Sequence, residues 1–95
     1  MTVYVDDWRQ WARVGAVETR WSHLTGDDLD ELHAFAAGLG LRRQWFQDHH
    51  ADPARHHYDL SDAVRQRAIA AGAVAVTWRE GARLRRLARA HAERP

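Results

Sequence analysis

The sequence predicts a small single-domain α/β protein, a mostly parallel sheet of about four short strands with three helices packed on it. Two observations carry that expectation. Short β-branched or aromatic runs alternate with stretches of helical periodicity, and no linker-like segment interrupts the 95 residues. The expected order is β-β-α-β-α-β-α over residues 1–95, each strand–helix–strand unit being right-handed.

Thr2 to Val5, "TVYV", is the first strand, ended by Asp6-Asp7. Trp8, Trp11 and Val14 recur every third residue, as in a turn of helix or a folded loop, and Glu18 to Leu24 alternates as a second strand. Asp27 or Thr25 then caps a helix whose face is Leu29, Leu32, Phe35, Ala36 and Leu39, with Gly40 as its stop. "QWF", Gln44 to Phe46, reads as a third strand leading into a histidine-rich loop over 46–60. Ser61 caps a second helix, with Val64, Ala68 and Ala71 inward and Gly72 as the stop. "AVAVT", Ala73 to Thr77, is an apolar run expected of a strand covered on both faces. Thr77 to Glu80 has capping-box form and opens a last helix with Leu84, Leu87, Ala88 and His91 inward. Residues 92–95 are expected to fray. Trp8, Trp11, Trp21, Trp45 and Trp78 are assigned to core and rim, since a small domain gains area from large aromatics.

Composition excludes several functions. Without cysteine there is no disulfide, thiolate zinc site or cysteine nucleophile. No apolar run approaches the roughly 18 residues of a membrane span, and no signal-peptide pattern opens the chain, so the expected compartment is the cytoplasm. No phosphate loop, serine elbow or "HExxH" helix is present. All 14 basic side chains are Arg, and residues 79–94 carry six of them against Glu80 and Glu93. They spread over most of a polar helix face, and pI ≈ 8.4 falls short of a strongly basic footprint. Tight nucleic-acid binding is not expected.

The chemistry-bearing stretch is "FQDHHADPARHHYDLS", Phe46 to Ser61, which holds His49, His50, His56 and His57 with Asp48, Asp52 and Asp59. Adjacent histidines in extended chain point opposite ways, so each pair offers one ring to a site. His57 and Asp59, two apart, share a face, and Tyr58 points the other way, into the core. With His23 or His33 they would give the nitrogen and oxygen donors that suit zinc, manganese or iron. In an open α/β sheet such a site lies beyond the strand carboxyl ends, where Asp6, His23 and the loop fall. That convergence is expected to require a second strand parallel to the first; an antiparallel one would put His23 at the far end of the sheet.

"YVDDWR", "WSHLTGDDLDELHAFAAGLGLRR", "HYDLS" and "AGAVAVTWREGARL" resemble a family of short bacterial and phage proteins catalogued as domain of unknown function 4031. The resemblance covers most of the chain and points to His23, Asp28, Glu31, His33, His57, Tyr58 and Asp59. It implies no activity. It also implies that "HHADPAR" lengthens the loop locally, leaving His49, His50 and His56 expendable.

The leading expectation is therefore a His/Asp-centred ligand or divalent-metal site of hydrolytic type, with His57, Asp59 and His23 as ligands and His23, His33, His57 and Asp59 as the catalytic candidates. Whether the domain is an enzyme, and whether it pairs as a homodimer, the sequence leaves open. The alternatives are a nucleic-acid-binding accessory protein using the Arg-rich last helix, or a protein-interaction module.

Overall fold

The structure, a computed structural model, describes residues 2–48 and 56–92, with side chains as far as residue 87. Its strands are β1 (Val3–Val5), β2 (Gln10–Val14), β3 (Val17–Gly26), β4 (Tyr58–Ser61) and β5 (Val74–Ala75), and its helices are α1 (Leu29–Gly38), α2 (Asp62–Ala70) and α3 (Trp78–Ala92). The sheet is built around β3. On one edge β4 pairs antiparallel with it, Trp21 opposite Ser61 and Leu24 opposite Tyr58. On the other edge β1 and β2 lie end to end, both antiparallel to β3. β5 adds to β1 in parallel, Tyr4 opposite Val74.

Between β1 and β2 the register breaks. Val5 faces Leu24 and Gln10 faces Trp21, so Asp6 to Arg9 stand opposite only Ser22 and His23. This is an enlarged bulge, which re-aims side chains locally. Arg9 carries it at φ 44, a conformation unfavourable for a residue with a Cβ. A two-pronged Arg9–Asp62 pair (2.8 and 3.1 Å) and a bond from the Arg20 guanidinium to the Arg9 carbonyl hold it there.

Alternation sorts the sheet into two faces. Val3, Val5, Leu24, Tyr58 and Leu60 point to one side and are buried against Leu32, Ala36 and Leu39 and against Ala68 of α2. The other side carries Tyr4, His23, Thr25, His57 and Asp59. The helices begin where their caps dictate: Asp28 accepts from the Glu31 amide, Ser61 from the Val64 amide, and Thr77 Oγ1 from the Glu80 amide. α3 gains a second capping carboxylate from afar, since Asp7 accepts from the Trp78 amide at 2.7 Å. Gly40, at φ 85, supplies the left-handed turn after α1.

Several expectations need correction. The sheet is mixed and not mostly parallel, β1–β5 being the one parallel pair among the described strands, and it has five strands with a different order. Trp8 to Gly15 is not helical; Gln10–Val14 is one arm of a hairpin closed by Gly15-Ala16, with Gly15 at φ 61, as a type II′ turn requires. "QWF" is no strand, because Arg43–Trp45 is a single 3-10 turn; the strand lies later, at Tyr58–Ser61 inside the expected loop. The run at Ala73 to Thr77 shrinks to Val74–Ala75, both exposed, so it is not covered on both faces. No tryptophan is buried: Trp21 is half-buried and Trp8, Trp11, Trp45 and Trp78 are exposed, Trp11 to 64%. In the helices Leu29 is exposed where it was expected to pack, and so are Ala71 and Leu87. Asp28 caps α1 in place of Asp27 or Thr25.

The expectations for His49, His50 and Asp52, for the Ala88 and His91 side chains and for 93–95 fall outside the described residues. Among the described residues no helix is long and apolar enough to cross a membrane.

Candidate functional site

Asp6, His23 and Asp59 form a row across three neighbouring chain segments, on the sheet face away from the α1–α2 core. The ladder sets this row. Val5 opposite Leu24 puts Asp6 opposite His23, and the same β3 residue faces Asp59 on its other edge. His57 precedes Asp59 by two and so joins the same face. Convergence therefore does not need a parallel second strand. β3 is antiparallel to β1 but continues past Leu24 to Gly26, which pairs with Val3, so His23 falls just beyond Val5, at the carboxyl end of β1.

One ligand atom each from His23, His57 and Asp59 lie within 4.8 Å of one another, the one such grouping of three among the described residues. His57 Nε2 is 3.2 Å from Asp59 Oδ1. Two donors about 2.0–2.2 Å from one ion, at tetrahedral or octahedral angles, stand roughly 3.0–3.5 Å apart. The His57–Asp59 pair already has that spacing. The remaining Asp59 oxygen, Oδ2, accepts a 2.6 Å bond from the Gln47 amide. Gln47 is itself held by backbone bonds to His57 on both sides of an isolated bridge. His23 sits between the Trp8 indole, 5.0 Å away, and the edge-on His57 ring at 4.9 Å. Side-chain exposures of 22% for His23, 15% for His57 and 37% for Asp59 leave the cluster open to solvent on the carboxylate side.

Asp6 is the buried member, 3% exposed. Its Oδ2 is 2.7 Å from His23 Nδ1, and its Oδ1 accepts from the backbone amides of His23 (3.0 Å) and Trp8 (3.2 Å). Burial alone would push this carboxyl up; the His23 and Trp8 hydrogen bonds outweigh it and hold the group below its ordinary range. A Cβ on Gly81 would stand 3.6 Å from Asp6 Cβ, so the first turn of α3 packs close against the Asp6 side chain. The Arg65 guanidinium, from α2, binds the Asp6 carbonyl at 2.9 Å. The Trp8 bond makes Asp6 the first residue of an Asx turn, and the same carboxylate also grips His23.

His33 is not part of this grouping. Its Nδ1 pairs with the Tyr58 hydroxyl at 2.8 Å and its ring packs edge-on against Phe46, on the core side of β4. Asp28 serves as the α1 cap and Glu31 lies in that helix's first turn. His56, next to His57 but pointing away, has its Nε2 2.9 Å from Asp48 Oδ1 and its ring against Phe46. Gln47 falls among the polar residues expected near the site, but no spacing in the chain marks Arg65 as a support.

Burial, and then the Arg43 charge, push the His33 imidazole below its ordinary value of 6.5, with Asp30 opposing weakly. A histidine held neutral by the fold stabilises it fully above pH 6.5, and the contribution is lost as pH falls through the depressed folded value. Denaturant titrations between about pH 7 and pH 5 should therefore show a shallower loss of stability in His33→Gln than in wild type. Equal slopes would remove His33 from the acid response.

No curated protein and no solved structure matches the chain. The family described as "Protein of unknown function (DUF4031)" matches residues 3–89, a span that takes in Asp6, His23, His57 and Asp59, and the chain belongs to that family.

Proposed function

We propose that the domain binds one divalent cation, zinc, manganese or iron, through His23, His57 and Asp59, and uses it for hydrolysis of a small substrate. The observation that carries this reading is the meeting of three donor side chains, two imidazoles and one carboxylate, within 4.8 Å on a single sheet face. Such a mixed nitrogen and oxygen set suits borderline first-row metals. Three protein ligands leave coordination positions for water and substrate, and the solvent side of Asp59 is where they would open. The chemistry a cation held by His23, His57 and Asp59 would supply is Lewis-acid activation of water. The protein's part is to fix the donors: Gln47 turns Asp59 so that Oδ1 faces His57, and Trp8 walls one side of His23.

Calorimetric titration of the metal-free protein with zinc and with manganese tests the reading. Wild type should bind one equivalent, and His57→Ala should lose about 100-fold or more in affinity while keeping its circular dichroism spectrum. Wild-type affinity no tighter than about millimolar for either ion would end the proposal. Hydrolysis is then read on nitrophenyl phosphate and nitrophenyl acetate, comparing metal-loaded with chelator-treated protein.

A further inference from the structure

We infer that Asp6 is the positioning residue that keeps the proton of His23 on Nδ1 and its lone pair on Nε2, and so makes His23 able to ligate. The inference rests on the divalent-cation reading for its effect on affinity; the proton position itself follows from the two oxygens of Asp6, which have different duties.

Oδ1 accepts from two backbone amides, those of His23 and Trp8, and Oδ2 faces His23 Nδ1 at 2.7 Å. An ionised carboxylate can only accept, so the nitrogen facing it must be the protonated one. In a neutral imidazole the other nitrogen, Nε2, then carries the lone pair. Histidines that bind metals commonly have this arrangement, one ring N–H given to a carboxylate and the other nitrogen given to the ion. Asp6 has no freedom to do otherwise. Its amide donates to the His23 carbonyl at 3.1 Å, its carbonyl is taken by Arg65, and its side chain lies under the start of α3. The bulge from Asp6 to Arg9 thus has a purpose in the site: it folds the Trp8 amide back onto Oδ1 and fixes which oxygen meets the ring.

The same geometry dictates what asparagine would do. Asn has one accepting oxygen and one donating nitrogen of nearly the same shape. Two backbone donors at the Oδ1 position demand the oxygen there; the reverse orientation would aim an NH2 group at two N–H groups. The Asn nitrogen therefore faces Nδ1, which must become an acceptor, and the ring proton moves to Nε2. Asp6→Asn keeps the fold and removes the lone pair from the ligating nitrogen, as the corresponding exchange does at the Asp–His pair of serine proteases.

Imidazole nitrogen shifts of 15N-labelled, metal-free protein at a pH where His23 is neutral, assigned by their loss in His23→Gln, test this directly. Wild type should show a protonated Nδ1 and an unprotonated Nε2 at His23, and Asp6→Asn the reverse. A packing role alone would not move the proton. Calorimetry should show zinc and manganese binding weakened about 10–100-fold in Asp6→Asn, with circular dichroism unchanged. A wild-type His23 protonated on Nε2, an Asn variant with the wild-type tautomer, or unchanged affinity in that variant would overturn the inference. If wild type takes up neither ion, the cation reading fails, and the nitrogen shifts alone decide whether Asp6 governs His23. The wild-type shifts need no variant to fold.

Discussion

Tyr58→Ala should destabilise the domain by about 3–5 kcal/mol, the range for deleting a large buried aromatic. Tyr58 is 1% exposed and heads the fully buried side chains by volume. Its ring packs with Phe46 and His33, and in four-residue β4 it is, with Leu60, one of the two side chains buried in the core. The total stability of a domain is commonly about 5–15 kcal/mol, so the variant should be partly unfolded at 37 °C. Tyr58→Phe isolates the hydroxyl. It removes only the 2.8 Å bond to His33 and should cost about 0.5–1.5 kcal/mol. Equilibrium denaturation of both variants checks the pair of values; a Tyr58→Ala loss under about 1.5 kcal/mol would mean that β4 is not held by this side chain. Because His57 and Asp59 flank Tyr58 on the opposite face, the same anchor sets the position of two proposed ligands.

Asp6→Ala should cost about 2–4 kcal/mol, from buried donors left without an acceptor. Three groups lose their partner at once: the amides of His23 and Trp8 and the Nδ1 of His23. Asp6→Asn, which can still satisfy the two amides, should stay within about 1.5 kcal/mol of wild type. The difference between Ala and wild type is also predicted to depend on pH. The folded Asp6 carboxyl is held below its ordinary 3.8, so its contribution is complete above roughly pH 4 and is lost as pH falls through the folded value. Denaturation curves for the two proteins should converge at acid pH. Curves that stay parallel there would show that ionised Asp6 is not what the fold depends on.

How much of this was legible in the chain depended on whether a signal was local. Ser61 and Thr77 cap as their side chains allow, Gly40 turns as only glycine does easily, and Leu32, Ala36 and Leu39 bury as their spacing requires. The period-two relation of His57 and Asp59 was legible for the same reason. The β2 arm was not, because all five of its residues are exposed and no inward–outward contrast marks the alternation. Strand direction was not legible either, since Glu18 to Leu24 reads identically whichever way it pairs. The Asp6–His23 contact depends on that pairing alone. It was missed because the strand does not stop at Leu24: it runs on to Gly26, which pairs with Val3 and so sets His23 just beyond Val5.

The double pairing of β3 has a consequence for how the amide protons of this domain exchange with deuterated water. Leu24 lies where β3 is paired on both edges and Ser22 where it is paired with Leu60 of β4, and both are buried, so their amides open only with the whole domain. Along β2 the pattern should alternate. Val14 opposite Val17 closes a two-residue turn as a bonded pair, so the amides of Gln10, Ala12 and Val14 face β3, while those of Trp11 and Arg13 face open water. Trp11 and Arg13 should exchange in the dead time and their neighbours measurably later. One hairpin arm would then report fast and slow lifetimes at successive residues, with the slowest protons of the molecule on the strand beside it, next to His23.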